Sequence, residues 1–339
     1  MQITLPDLGF SAFFADQTGE NPDLSPYRIT EVHRDRLSVL SPAGMATLTT
    51  TPPMNTGDLA VGDWVLADET GQIQTILERK SLLHRRAPGS DARQQLIAAN
   101  CDVLFIVSSC NPEFNPARIE RYLALAHETG SFAVIVLTKA DESDDTAEFM
   151  AAAQALDTTV PVLAVNALDP DDLARIAGWV KHGQTAALVG SSGVGKTTLT
   201  NGLCGREDDT GGIREDDAKG RHTTTSRNLR HMLNGGWIID MPGMRALRLE
   251  EAGAGIEALF EDIETLARQC RFSDCAHTVE PGCAVQGAIK SGDLARDRME
   301  RWEKLKHEDL RNSASIAKGR ARNKTIGKTT RGGKRRKNQ

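Results

Sequence analysis

Residues 190–197 are the part of the chain whose types and spacing best suit a chemical task, the binding of phosphate. Their sequence, GSSGVGKT, fits the pattern G-x-x-x-x-G-K-[ST] at every fixed position. Glycines let the backbone turn its N–H groups toward phosphate oxygens, and a following helix adds positive charge at its N-terminus. Lys196 can then reach the β- and γ-phosphates, and the Thr197 hydroxyl can coordinate Mg²⁺.

The flanking residues also suit a phosphate-binding loop. The apolar run TAALV at 185–189 predicts a buried strand before the loop, and TTLTNGL at 197–203 predicts a helix after it. Strand, loop and helix in this order predict a nucleoside triphosphate site. The alternative is a glycine-rich turn that precedes an unrelated helix.

A second element, DMPG at 240–243, follows the short apolar run GWII. It matches the D-x-x-G element of nucleotide hydrolases, in which the Asp holds Mg²⁺ through a water and the Gly N–H contacts the γ-phosphate. These roles fall here on Asp240 and Gly243. The stretch 205–222 between the two elements is rich in Asp, Gly and charge, so we expect a mobile loop there.

A third element, TKAD at 138–141, follows the apolar run FAVIVL and resembles the N-K-x-D element that recognises guanine. The Asp141 carboxylate can accept from N1–H and N2–H₂ of guanine, two donors that adenine cannot supply together. The stem of Lys139 can cover the base. Thr138 stands where Asn is usual, so we expect one polar contact to be weaker. The alternative is an ordinary turn between a strand and a helix.

Asn166 and Ala167 follow a further apolar run, VPVLAV, in the place of a Ser-Ala element whose backbone N–H meets guanine O6. The complete predicted nucleotide site, with Lys196 also assigned to catalysis, comprises Thr138, Lys139, Ala140, Asp141, Asn166, Ala167, Gly190, Ser191, Ser192, Gly193, Val194, Gly195, Lys196, Thr197, Thr198, Thr224, Asp240 and Gly243.

Three cysteines and a histidine cluster near the C-terminus in the pattern Cys270-x₄-Cys275-x-His277-x₅-Cys283. Three thiolates and one imidazole can form a closed tetrahedral Zn²⁺ site of the structural type. We therefore predict one structural zinc per chain. The alternative is a set of reduced core cysteines beside a surface histidine.

Short strands separated by turns predict a small β-barrel before these elements. The strand candidates are 36–40, 44–50, 63–67 and 72–77, and their spacing favours an oligonucleotide-binding (OB) fold. Residues 1–26 show no sustained period and are interpreted as a flexible lead-in. Residues 87–98 are interpreted as a linker to the next domain.

From about residue 102, apolar strands alternate with helical segments, which predicts a mostly parallel sheet covered on both faces. Helices are expected at 116–129, 148–156 and 171–181, and again at 254–269 and 292–311. The guanine elements precede the phosphate-binding loop, whereas they follow it in a standard small GTPase. Because all these loops need only meet at the carboxyl edge of one sheet, a circular permutation preserves the site.

Charge is distributed unevenly along the 339 residues. The whole chain carries −5 and the tail from residue 318 carries +10 without an acid, so residues 1–317 carry −15. A basic arm on an acidic body indicates contact with a polyanion, and the alternative is a solvated tail. No apolar run is long enough to span a membrane, and the N-terminus lacks the features of a signal peptide, so we expect a cytoplasmic protein without a disulfide framework.

Together these motifs resemble those of the ribosome small-subunit-dependent GTPase A family (RsgA, YjeQ or YloQ). The resemblance covers roughly residues 25–310 and rests on the permuted order, the barrel, GSSGVGKTT, GRHTTT at 220–225, DMPG and the cysteine–histidine element. It implies a circularly permuted P-loop GTPase domain between an OB-fold barrel and a zinc-binding, mainly helical domain. It also implies that the protein binds GTP, GDP, the 30S subunit and 16S rRNA, and that the subunit stimulates hydrolysis.

The resemblance further implies a role for His222. The residue after DMPG is Met244, so the water-orienting Gln of Ras-like enzymes is missing. In the resembling family, the His of the switch I element is the proposed substitute, and that position is His222. The alternative is a solvent-exposed loop histidine. Thr224 belongs to the same element.

These inferences predict five segments: 1–26 as lead-in, 27–95 as OB-fold barrel, 96–248 as permuted GTPase domain, 249–315 as zinc-binding helical domain and 316–339 as basic disordered tail. We expect a monomer. Two other functions stay open, a nucleotide-gated RNA-binding module whose hydrolysis is incidental and a P-loop ATPase or metabolic kinase. The kinase hypothesis predicts no guanine preference. Stimulation of hydrolysis by 30S subunits would separate the subunit-dependent GTPase from the RNA-binding module.

Overall fold

The computed structural model describes residues 3–19, 23–86, 94–206, 227–241 and 252–312. The chain divides into two compact units, one of Met1–His84 and Leu96–Leu247, the other of Arg85–Gln95 and Arg248–Gln339. Within the described ranges, no helix is both long enough and apolar enough to cross a membrane.

Five strands form a closed barrel in the first unit, in the order β1-β2-β3-β5-β4. Strands β3 and β5 pair in parallel and the other pairs are antiparallel, which is the arrangement of an OB-fold. The prediction of an OB-fold barrel is confirmed. The strands are β1 (Ser25–Val32), β2 (Leu37–Ser41), β3 (Gly44–Thr50), β4 (Trp64–Ala67) and β5 (Gln72–Ile76).

The N-terminal segment is not the loosely ordered lead-in that the sequence favoured. It contains a short helix, α1 (Ala12–Ala15), and Leu8 and Phe14 are fully buried. The Phe14 ring lies 5.9 Å from that of Trp64 in the barrel. Burial of these apolar side chains outweighs the polar, turn-rich composition of the segment, because each large side chain contributes about 1.5–3 kcal/mol.

A six-stranded sheet forms the rest of the first unit, in the order β10-β9-β8-β11-β13-β12. The first five strands are mutually parallel and β12 is antiparallel to β13. The strands are β8 (Val103–Ser109), β9 (Phe132–Thr138), β10 (Val162–Ala164), β11 (Thr185–Gly190), β12 (Asn228–His231) and β13 (Trp237–Asp240), and the helices are α2 (Pro116–Thr129), α3 (Thr146–Gln154), α4 (Pro170–Ala177) and α5 (Lys196–Cys204).

Both faces of this sheet are covered, as predicted from its continuous apolar strands. Phe105 packs in a core with residues of α4 and α5, while its neighbours Leu104 and Ile106, on the opposite face, are also fully buried. Local signals set the bounds of α2, since the Asn115 side chain caps its N-terminus and Gly130, with φ 69°, ends it.

A buried arginine joins the barrel to the sheet. Arg28 of β1 donates to the Thr185 hydroxyl at the start of β11, and its guanidinium lies 5.8 Å from the Trp64 ring and 5.9 Å from the Trp237 ring. Burial lowers the pKa of Arg28 to about 10, against the opposing effect of Asp102. Arg28 also donates to the Leu8 carbonyl, so the barrel, the N-terminal segment and the sheet share one packed interface.

Two further strands, β6 (Leu82–Arg86) and β7 (Gln94–Ala99), form a two-stranded sheet. The sequence favoured a linker over 87–98, and the described part of that range instead contributes most of β7. Its apolar residues explain the difference, since Ile97, Ala98 and Ala99 are buried. A short strand that is not part of a long apolar run is difficult to recognise from the periodicity of the sequence.

The second unit contains four helices in its described part: α6 (Gly253–Leu259), α7 (Glu261–Arg268), α8 (Ala284–Ser291) and α9, which occupies 296–312. The single helix expected at 254–269 is two helices that meet at the fully buried Phe260. Helix α8 was missed, because its first turn is specified by a cysteine cap rather than by a common N-cap residue.

Candidate functional site

The predicted nucleotide elements meet at the carboxyl edge of the six-stranded sheet. The phosphate-binding loop follows β11, the 138–141 loop follows β9, Asn166 lies just beyond β10, and Asp240 ends β13. Since these strands are parallel, their carboxyl ends share one edge. The permuted order along the chain therefore does not disperse the elements in space.

The phosphate-binding loop has three glycines with positive φ, at positions 190, 193 and 195. Gly190 has φ 151°, and a Cβ on it would lie 2.2 Å from the Val107 carbonyl oxygen. Gly195 has φ 84° and precedes the first residue of α5. Between them Ser192 and Gly193 are exposed, as is Thr197 in the first turn of α5. The loop thus presents its backbone and the α5 N-terminus toward solvent, where a phosphate would bind.

Lys196 lies over this loop and is partly buried. Its Nζ donates to the carbonyl oxygen of Gly190 at 3.0 Å and to that of Ser191. Burial lowers the pKa of Lys196 to about 8, although the charge of Asp240 acts in the opposite direction. The positive charge of Lys196 and the negative charge of Asp240 therefore lie at the same sheet edge, where phosphates and Mg²⁺ are predicted.

Arg118 is a contact of the loop that sequence reasoning missed. It lies in the first turn of α2, and its guanidinium donates to the Ser191 hydroxyl. Ser191 is thus held by two cationic side chains, Arg118 through its hydroxyl and Lys196 through its carbonyl. A basic residue in the first turn of the helix that follows β8 was the available signal, because that turn lies at the same sheet edge.

The 138–141 loop contacts the phosphate-binding loop directly through Thr138. This side chain is fully buried, and its single hydroxyl hydrogen can be donated to the Val194 carbonyl at 2.7 Å or to the Ser108 carbonyl at 3.0 Å. Lys139 adopts a left-handed backbone with φ 58°, and Ala140 N–H donates to the Val165 carbonyl at 3.3 Å. Asp141 follows in a short 3₁₀ turn and is exposed, so its carboxylate is accessible to a base.

The Asn166 loop is held by α4 and by its own side chain. The Asn166 backbone N–H donates to the Asp172 carboxylate at 2.8 Å, and the Asn166 side-chain oxygen accepts from Leu168 N–H at 2.9 Å. Ala167 is half-buried and packs against the core of the sheet. The Asn166 side chain therefore shapes the loop that carries the Ala167 backbone.

Asp240 lies at the end of β13 with its carboxylate 3.6 Å from the Arg230 guanidinium. Thr198 is half-buried in the first turn of α5. Three predicted site residues, His222, Thr224 and Gly243, lie outside the described residues, so the structure gives them no position.

The predicted metal ligands of the second unit come together. The donor atoms of Cys270, Cys275, His277 and Cys283 all lie within 4.8 Å of one another. Cys270 Sγ is 3.8 Å from Cys283 Sγ, and His277 Nδ1 is 3.6 Å from each of these sulfurs. Tetrahedral zinc, with bonds of about 2.3 Å to sulfur and about 2.0 Å to nitrogen, places its ligands about 3.5–3.8 Å apart. The cluster can therefore hold a tetrahedral metal ion through three sulfurs and Nδ1.

The backbone around the cluster positions these ligands. Cys283 is the N-cap of α8, where its sulfur accepts from Gln286 N–H at 3.4 Å. His277 adopts a left-handed backbone with φ 56°, and the Gln286 side chain donates to its carbonyl. Burial raises the pKa of the Cys270 thiol, but hydrogen bonds from the first backbone N–H groups of α8 and from the Cys283 and Cys275 thiols together outweigh this effect, so its pKa is lowered overall.

Comparison with known proteins identifies related sequences over most of the chain. The family described as RsgA GTPase matches residues 76–250. The small ribosomal subunit biogenesis GTPase RsgA of Mesorhizobium japonicum is 50% identical over 316 residues, which cover 91% of each chain. Its counterpart RsgA 2 of Vibrio parahaemolyticus is 46% identical over 330 residues, covering 96% of this chain and 92% of the relative.

Two solved structures share the architecture. YjeQ from Thermotoga maritima matches with a TM-score of 0.62 and 25% identity, over 85% of this chain and 99% of that one. YloQ, a circularly permuted GTPase, matches with a TM-score of 0.59 and 23% identity, over 86% of this chain and 96% of that one. The permuted fold and the sequence identity lead to the same assignment: the chain belongs to the RsgA GTPase family.

Proposed function

We propose that this protein is a GTPase of small ribosomal subunit biogenesis, which binds the 30S subunit and hydrolyses GTP to GDP and phosphate. The observation that supports it most directly is the convergence of the phosphate-binding loop, the 138–141 loop and Asp240 at one sheet edge. The names of the Mesorhizobium and Vibrio relatives supply the ribosomal context.

Different residues at the sheet edge would bind the phosphates, the base and Mg²⁺. Backbone N–H groups of the glycine loop and Lys196 would hold the phosphates, and Asp141 would read the guanine edge. Thr197 and Asp240 would hold Mg²⁺, whose charge would neutralise that developing on the phosphates. Their oxygens suit this hard cation, which prefers oxygen ligands.

The proposed function is tested by mixing purified protein, GTP and isolated 30S subunits and measuring phosphate release. We expect hydrolysis to be slow without subunits, about 10⁻⁴ to 10⁻² s⁻¹, and to rise at least tenfold with them. Binding to 30S subunits without stimulation would instead support a nucleotide-gated RNA-binding module. Equal turnover of ATP and GTP would contradict a guanine-specific enzyme.

We propose that His222 orients the attacking water, since Met244 has a thioether that is a poor hydrogen-bonding partner. We expect His222→Ala to bind GTP and 30S subunits normally and to lose about 10²-fold or more of the stimulated rate. The basal rate without subunits should change little. The measurement is single-turnover hydrolysis with and without 30S subunits, and a fully stimulated variant would exclude this role.

We propose that the metal of the second unit is zinc. Three thiolates and one imidazole at these separations suit tetrahedral Zn²⁺. We expect purified protein to contain about one zinc per chain and Cys275→Ser to lose it while still binding GDP. Cys110→Ser, at a buried cysteine outside the cluster, is the control and should keep its zinc. Elemental analysis that finds no zinc in the unmodified protein would contradict the assignment.

We propose that the basic residues from Lys318 onward, which lie outside the described residues, contact the RNA of the subunit. Truncation before Lys318 should reduce the dependence of 30S binding on salt, because fewer counterions are released from phosphates. Intrinsic GTP hydrolysis should not change. The measurement is the slope of log affinity against log salt concentration for the full chain and the truncated chain. An identical slope would assign the tail no RNA contact.

The remaining organisation is also proposed. We propose that the barrel domain spans 27–95, the GTPase domain 96–248, the zinc-binding domain 249–315 and the tail 316–339, and that the protein is a monomer. A protein that acts on ribosomal subunits works in the cytoplasm, where we therefore place it.

A further inference from the structure

Thr138 lies at the end of β9, where the loop that carries Asp141 begins. Guanine offers N1–H and N2–H₂ as donors, and O6 and N7 as acceptors. The predicted site assigns the two donors to the Asp141 carboxylate and O6 to a backbone N–H near Ala167. A hydrogen bond to N7 would need a further donor, and the side chain at position 138 is the neighbouring candidate, because it begins the loop that carries Asp141.

The hydrogen of the Thr138 hydroxyl is already donated to a backbone carbonyl of the protein. A hydroxyl carries one hydrogen, and two carbonyl oxygens compete for it, that of Val194 at 2.7 Å and that of Ser108 at 3.0 Å. The side chain is 0% exposed, so its oxygen does not face the solvent from which a base would enter. Donation to a base would leave two inward carbonyl oxygens without this hydrogen, at a cost comparable to the bond gained.

The packing around Thr138 holds it in this orientation. Thr138 pairs with Ser109 at the end of the β8–β9 ladder, and a Cβ placed on Gly195 would lie 3.6 Å from the Thr138 hydroxyl and methyl groups. The side chain is therefore enclosed between the end of β8 and the phosphate-binding loop. Rotation of the hydroxyl toward a base would require this packing to open.

We propose that Thr138 links the 138–141 loop to the phosphate-binding loop and that its hydroxyl does not donate to N7 of guanine. The inference rests on the proposed guanine site and adds a specificity to it: nucleotides that keep N1–H, N2–H₂ and O6 but lack N7 bind as well as GDP.

The test compares the affinities of GDP, 7-deaza-GDP and ADP for the full-length protein by isothermal titration. In 7-deazaguanine a C–H group replaces N7, and the other edge groups are unchanged. We expect GDP and 7-deaza-GDP to bind within about twofold of each other and ADP to bind at least about 100-fold more weakly. A loss of about tenfold for 7-deaza-GDP would overturn the inference while leaving the guanine site intact. Equal binding of ADP and GDP would instead overturn the proposed guanine site.

Two variants assign the effect to residue 138. Thr138→Asn introduces an amide of similar size with two N–H donors, so one can reach N7 while the other serves the loop. We expect this variant to prefer GDP over 7-deaza-GDP by about three- to tenfold. Thr138→Val keeps the shape but removes the link, so both nucleotides should weaken together by about three- to tenfold. If Thr138→Asn shows no preference, or Thr138→Val binds both as tightly as the unmodified protein, Thr138 does not have this role.

Discussion

Replacing Asp141 by Asn should lower the affinity for GDP by at least about 100-fold and create affinity for xanthosine diphosphate. In the proposed guanine site the carboxylate accepts from two guanine donors, and charge-assisted bonds of this kind are about twice as strong as neutral ones. An amide presents its own N–H donors to the guanine N2–H₂ group and repels it. Xanthine carries an oxygen at that position, so the amide can donate to it.

The measurement is titration of GDP, xanthosine diphosphate and ADP against the variant and the unmodified protein. Glu142→Gln is the matched control, because Glu142 is an exposed carboxylate on the same 3₁₀ turn. It removes the same charge one residue away and should change GDP affinity by less than about threefold. A variant at Asp141 that binds GDP normally would mean that this loop does not read the base.

Much of the fold could be predicted because local and long-range signals agree. Helix α2 was predicted at its observed bounds, since Asn115, Pro116 and Gly130 mark its ends and its apolar residues follow the helical period. The strand–loop–helix around the phosphate-binding loop agreed to within about one residue for the same reason. The confirmed permuted architecture followed from the order of these motifs.

The parts that could not be predicted depend on distant packing. Strand β1 was not among the predicted strands, because its sequence SPYRITEV contains a proline and mixes polar with apolar residues. Its identity is set by ladders to both β2 and β4, and by the Arg28 contact with Thr185, which is far away in sequence. Single-sequence periodicity contains no information about such partners.

Thr138 shows the same limit within the site. Its departure from the usual Asn was visible in the sequence and suggested only a weaker contact with guanine. The structure adds that the side chain is enclosed and bonded to the phosphate-binding loop. The sequence thus indicated that the site lacks the usual Asn side chain. The hydrogen bonds of Thr138 indicate that it instead joins the 138–141 loop to the phosphate-binding loop.

Replacing Lys196 by Met should reduce GTP hydrolysis by about 10²- to 10³-fold, because the variant removes a preorganised charge from the β- and γ-phosphates. Met is about as long and is unbranched, so the loss can be assigned to the ammonium group rather than to a cavity. The fold should survive, since the Nζ contacts that Lys196 makes are to two loop carbonyls. Circular dichroism and thermal unfolding serve as the control. A variant that hydrolyses GTP at the unmodified rate would contradict the assignment of this loop to phosphate.

The same lysine predicts how binding depends on pH. Its pKa is about 8 in the free site, because burial disfavours the charged form. Phosphates favour that charged form, so nucleotide binding should raise this pKa and take up a proton. The contribution of Lys196 to GDP affinity should therefore be nearly constant below about pH 7 and fall as the pH rises through 8, by up to about tenfold per pH unit above it.

Titrations between about pH 7 and pH 9 measure this slope, and Lys196→Met reports any slope that arises from the nucleotide itself. If the variant and the unmodified protein show the same slope, the ammonium of Lys196 does not lose its charge in this range and does not control the binding of phosphate through it.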